Sequence, residues 1–164
     1  MASAYQLNDV RNGLDKYYKQ YCNIALDPNT HFPSIGTYSN EFTGTYDGNN
    51  FKITGFYQNN YTVDIYTTGL FGYNVNPSIL KNIWLYGKID IPSSINLNMV
   101  GLLVSMGNNT ITMTINNSVI NCHCYGLIKA KANYMGGLGG NGANISNCSA
   151  EVDIVWMMTD QFWW

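Results

Sequence analysis

Apolar and polar positions begin to alternate clearly at Phe42. Phe42, Gly44 and Tyr46 fall on one face, and Phe51 and Ile53 resume the alternation after Asp47-Gly48-Asn49-Asn50. Period-two alternation predicts half-buried strands. The four residues between them predict a turn, because Gly and Asn tolerate positive φ and Asx side chains bond the local backbone. The stretch reads as strand, corner, strand.

The corner opens a pattern that recurs. Gly69-Leu70-Phe71-Gly72 returns as Gly101-Leu102-Leu103-Val104 and as Gly137-Leu138-Gly139-Gly140, at offsets of 32 and 36 residues. A second string, Asn82 to Ile89, is echoed by Asn121 to Ile128 and by Asn147 to Ile154. Each copy has one apolar face: Ile83, Leu85, Gly87, Ile89; then Cys122, Cys124, Gly126, Ile128; then Cys148, Ala150, Val152, Ile154. Trp84, Tyr86, Lys88, His123, Tyr125, Leu127, Ser149, Glu151 and Asp153 fall on the opposite face. Recurrence at this period predicts stacked coils, a β-solenoid.

Ahead of the corner, Leu7, Val10, Leu14, Tyr17, Tyr18 and Tyr21 share one helical face, which predicts a helix over residues 3–21 capped by Ser3 or Asn8. Tyr21 to Leu26 reads as a strand, and Asp27-Pro28-Asn29-Thr30 as a turn. The expected organisation is an N-terminal helical cap (1–21), β-solenoid coils (22–155), and a C-terminal aromatic plug or docking segment (156–164).

These strings together resemble the GLUG-motif repeat proteins. The resemblance rests on Phe42-Thr43-Gly44-Thr45-Tyr46-Asp47-Gly48-Asn49, on the spaced Gly-Leu strings, and on the Asn-Ile and Asn-Cys strands, and it covers residues 5–155. Val104 stands where a Gly is usual, and Lys52 where a His is frequent. The resemblance implies an all-β, right-handed parallel β-helix belonging to a secreted or surface-attached, often adhesin-like protein, without a catalytic site.

Composition narrows the function. Charged residues make up 11% of the chain, with eight Lys and Arg against ten Asp and Glu. That balance offers no basic field for nucleic acid. No run of 18 apolar residues supplies a membrane span, and the N-terminus lacks the basic-plus-apolar signature of a signal peptide. Cys122 and Cys148 occupy equivalent positions on neighbouring strands, where a ladder of free, packed thiols is expected; the alternative is a disulfide, within reach in an oxidising compartment. Cys122, His123 and Cys124 do not converge on a metal, because His123 points to the other face. His31 and His123 are too few and too far apart for a nucleophilic triad. Glu151 and Asp153 share an outward face, where a solvated surface is expected rather than a glycosidase pair. Gly136 to Gly142 lacks the Lys-Ser/Thr ending of a phosphate loop and reads as a turn.

No catalytic, cofactor or metal residue is therefore expected. The candidate interaction residues are Trp84, Tyr86, Tyr125, Trp156, Phe162, Trp163 and Trp164, with Tyr57 and Tyr61 as further outward aromatics. Asn-x-Ser/Thr occurs at Asn60, Asn108, Asn116, Asn144 and Asn147. The expected function is a structural or interaction module of a cell-surface, extracellular or virion assembly, with protein partners that include the chain itself. The alternative is a carbohydrate-binding or carbohydrate-active protein that meets surface glycans.

Overall fold

The computed structural model describes residues 1–59, 67–75, 77–106, 118–141 and 144–157. The chain begins with α1 (Ala4–Asn8), followed by a 3-10 turn (Asp9–Asn12). Next come β1 (Tyr17–Lys19), β2 (Ile24–Ala25), β3 (Thr45–Asp47), β4 (Lys52–Gln58) and β5 (Thr67–Thr68). The middle of the chain supplies β6 (Phe71–Tyr73), β7 (Ile79–Lys81), β8 (Trp84–Asp90), β9 (Asn96–Gly101) and β10 (Val104–Met106). The last strands are β11 (Ser118–Ile120), β12 (His123–Gly136), β13 (Gly139–Asn141), β14 (Asn144–Ser146) and β15 (Ser149–Trp156).

The strands form three parallel sheets. A five-stranded sheet runs β1-β3-β7-β11-β14, and a three-stranded one runs β13-β10-β6. The seven-stranded sheet runs β2-β4-β8-β12-β9-β5, with β15 also on β12. In it β12 serves two ladders: His123–Lys129 pairs with β8, and Lys131–Gly136 pairs with β9.

This arrangement corrects the right-handed parallel β-helix expected from the sequence. The strands are shared among separate open sheets of five, seven and three strands, and the described residues do not close into a solenoid. The physical reason is that successive units are not equivalent. β12 runs unbroken for 14 residues where the preceding units use separate strands, β4 and β5 and then β8 and β9. The first unit contributes only the short strands β1 and β2, of three and two residues, and isolated bridges, Ile35 to Phe71 and Phe42 to Asn74.

The helical segment is also shorter than expected. Ser3 caps α1, its Oγ accepting from Gln6 N at 3.2 Å, but the segment breaks at Gly13 and Tyr17 enters a strand instead. Leu7 and Val10 are fully buried and pack into the core, so the face read from the sequence holds for those two residues. The strand expected over Tyr21–Leu26 contracts to Ile24–Ala25. Gly139–Asn141, expected as a turn, is a strand paired with β10.

The core lies between the sheets. Phe42, Tyr46 and Phe71 are fully buried, with the Phe71 ring 5.0 Å from Phe42 and 5.4 Å from Tyr46. Each such side chain contributes about 1.5–3 kcal/mol by leaving water. Ile53, Ile83, Leu85, Ile89, Cys122, Cys124 and Ile128 continue the same interior.

Candidate functional site

The outer face of the seven-stranded sheet gathers Tyr57, Trp84, Tyr86 and Tyr125, four of the aromatic residues singled out in the sequence. Register alone builds it. Trp84 pairs with His123 and His123 with Ser149; two residues on, Tyr86 pairs with Tyr125 and Tyr125 with Glu151. Parallel in-register strands set equivalent side chains about 4.8 Å apart. The rings use that spacing to stack. Tyr86 and Tyr125 lie 4.8 Å apart, and Trp84 and Tyr125 6.1 Å apart, each pair with planes 11° from parallel. Trp84 also packs on His123 at 4.3 Å.

Two cations complete the face. Lys52 Nζ sits 5.4 Å from the Tyr86 ring centroid, and Lys88 Nζ 5.9 Å from that of Tyr57. Lys88 also pairs with Asp90 at 2.7 Å, a contact that holds its ammonium above the usual lysine range. The ring faces are thus turned towards neighbouring rings and ammonium groups. Each such contact contributes about 0.5–1.5 kcal/mol.

His123 stands on this outer face, Nδ1 within 2.8 Å of Ser149 Oγ, while Cys122 and Cys124 are buried on the other side. Glu151 and Asp153 are exposed on the last strand. His31 lies elsewhere, its Nδ1 accepting from Asn59 N at 3.3 Å, and burial pushes its pKa down.

Trp156 is not part of the aromatic stack. It ends β15 and is 61% exposed. With Asn96, Leu97, Asn98, Lys131, Ala132 and Asn133 it lines an open groove of about 590 Å³. Asn133 Nδ2 donates to Asn98 Oδ1 at 3.2 Å across that groove. Tyr61, Phe162, Trp163 and Trp164 lie outside the described residues, as do Asn60, Asn108 and Asn116. Asn144 and Asn147 are exposed.

Sequence reasoning missed a polar ladder along the corners between the five- and seven-stranded sheets. Asn82, Asn121 and Asn147 each stand immediately before the residue that leads into a long strand, with φ of 55°, 51° and 53°. Asn121 Nδ2 donates to Asn82 Oδ1, and Asn82 Nδ2 donates to Asp47 Oδ1, both at 2.9 Å. The recurrence of Asn at these three places was the available signal.

Comparison with family models, with curated proteins and with solved structures finds no match to this chain.

Proposed function

We propose that this chain is a non-catalytic structural and interaction module that docks proteins, further copies of itself first, in an extracellular, cell-surface or virion-surface assembly. One observation carries the reading, the open edge of β15. Among the described residues β15 pairs only with β12, and it exposes Ile154 by 45%, Val155 by 46% and Trp156 by 61%. Ser149 N donates to Cys122 O and Met157 N to Ala130 O. In a parallel ladder alternate residues face the same neighbour. The odd-numbered N–H groups of β15 therefore serve β12, and those of Ala150, Val152 and Ile154 point to the open side. An apolar edge whose outward donors have no partner among the described residues is a template for an added strand.

The aromatic face beside that edge supplies a second contact surface. Its ring faces are already stacked, which suits a protein partner better than a sugar. Light scattering across a dilution series tests the docking reading with the wild-type chain and Ile154→Pro, a substitution that removes an outward donor and leaves the bonds to β12. Wild-type assemblies that the proline abolishes are expected. A wild-type chain that stays monomeric throughout, or a proline variant that assembles unchanged, overturns the reading.

The groove at Trp156 favours carbohydrate binding as a second reading. An exposed indole with no ring partner among the described residues, beside three carboxamides, suits the apolar face and hydroxyls of a sugar. Glycan-array binding lost in Trp156→Ala is the expected result; an array with no binding removes it.

A further inference from the structure

We propose that Cys122 and Cys148 are a redox pair that closes a disulfide between β12 and β15, fastening the outermost strand to its neighbour. The inference stands on the register of these strands and not on the docking reading. Each cysteine follows an asparagine of left-handed conformation, Asn121 at φ 51° and Asn147 at φ 53°. The chain therefore enters the two strands in the same way. His123 pairs with Ser149, so the cysteines face one another one position earlier. Neighbouring strands lie about 4.8 Å apart, inside the Cα range of disulfides. Closure also needs Cβ atoms about 3.5–4.5 Å apart, so the strands must draw together slightly. β15 is free to give, because nothing among the described residues pairs with its other edge.

The sulfurs are already in contact with each other's surroundings. Cys148 Sγ accepts from Cys122 N at 3.3 Å and lies 3.4 Å from Val119 O and 3.1 Å from Ser146 O. Cys122 Sγ lies 3.3 Å from Ile120 O. Among the described residues, neither of the other two cysteines is placed opposite a cysteine by the strand register. Cys124 is in register with Leu85 and Ala150, and Cys22 contacts Ala2 O.

The pair is also asymmetric in the way an exchange reaction requires. Cys148 is partly exposed and Cys122 is fully buried. Hydrogen bonding from the Cys122 thiol holds Cys148 below the ordinary thiol range, while the same contact and burial push Cys122 up. Cys148 is therefore the attacking thiolate. It displaces one thiolate from a small disulfide oxidant such as oxidised glutathione and forms a mixed disulfide. Cys122 then gives up its proton and attacks Cys148 Sγ, and the second glutathione leaves. The two protein thiols lose two electrons and two protons, and one disulfide of oxidant becomes two thiols.

The test equilibrates the full chain in reduced and oxidised glutathione, blocks free thiols with iodoacetamide and maps the peptides by mass spectrometry. Trypsin cuts after Lys88, Lys129 and Lys131, which puts Cys122 and Cys148 on different peptides. A cross-linked pair is expected that survives Cys124→Ser and Cys22→Ser and disappears in Cys148→Ser. Hydrogen exchange across residues 149–156 should slow by at least about tenfold on oxidation. Four alkylated thiols after oxidation, a cross-link that needs Cys124 or Cys22, or a product that stops at glutathionylated Cys148 would each overturn the proposal.

Discussion

The Asn121 carboxamide donates from Nδ2 to Oδ1 of Asn82 at 2.9 Å, and the two residues hold left-handed backbones at the same corner of successive strands. Each asparagine does two things. Its backbone makes the bend between the five- and seven-stranded sheets, and its side chain ties that bend to the one before. Asn121 Nδ2 also lies 3.2 Å from Asn50 Oδ1, so the ladder reaches back to the first corner.

Asn82→Ala should separate these contributions when compared with Asn82→Gly. Alanine at φ 55° carries a left-handed penalty of about 1–2 kcal/mol, and each lost hydrogen bond adds about 0.5–1.5 kcal/mol. Glycine restores the backbone and leaves the hydrogen-bond loss. Urea denaturation should therefore rank wild type above the glycine variant and the glycine variant above alanine. Equal losses in both variants would show that the backbone conformation is not what the asparagine supplies.

The ladder ends on Asp47, which predicts a pH dependence. Burial pushes this carboxyl up, but hydrogen bonds from the Asn82 side chain and the Asn49 N–H, with Lys81 and Tyr17, outweigh it and hold the pKa below the usual carboxylate value. A depressed folded-state pKa contributes stability that is present above the unfolded value of about 3.9 and is lost as pH falls through the folded one. Asp47→Asn should be less stable than wild type at pH 7, and the gap should narrow below about pH 4. Denaturation midpoints at both pH values measure it; a gap that stays constant would assign the stability to groups other than this carboxylate.

The pairings of the Asn82, Asn121 and Asn147 strings were legible in the sequence. Alternation separates the faces of the first two strings, whereas Ala150 and Ile154 of the third, expected inward, are exposed on the last strand; the structure pairs Trp84 with His123 and His123 with Ser149 as the strings align. The Gly-Leu strings misled by one residue. Gly101 and Gly137 hold the same place in their strings, yet Gly101 pairs with Gly136, and Val104 pairs with Phe71. Thr68 pairs with Val100, so one extra residue is taken up between the two pairings, and short Gly-Leu strings carry no side-chain pattern that would reveal it. The helix failed for a different reason. A 3.6-residue apolar period over residues 7–21 says nothing about Gly13 ending the helix or about Tyr17–Lys19 finding a partner in Thr45–Asp47. The outward placement of Trp84, Tyr86 and Tyr125 was readable from alternation, whereas their mutual stacking depends on the strand-to-strand register.

Gly126 offers the sharpest test of how closely the strands pack. It pairs with Gly87, which lies opposite Phe56. Its φ of 147° is outside the range that side-chain-bearing residues adopt comfortably, and a Cβ placed on it would stand 1.8 Å from Gly87 O. The obstruction is backbone, so no rotamer change relieves it. Either β12 moves away from β8 or the local ladder breaks. Gly126→Ala should cost roughly 3 kcal/mol or more, at the upper end for single substitutions. It should also loosen the stack of Tyr86 on Tyr125, since Tyr125 precedes the displaced residue. Denaturation gives the first effect and near-ultraviolet circular dichroism of the aromatic face the second. A Gly126→Ala chain with wild-type stability and spectrum would mean that β8 and β12 are not held at this separation.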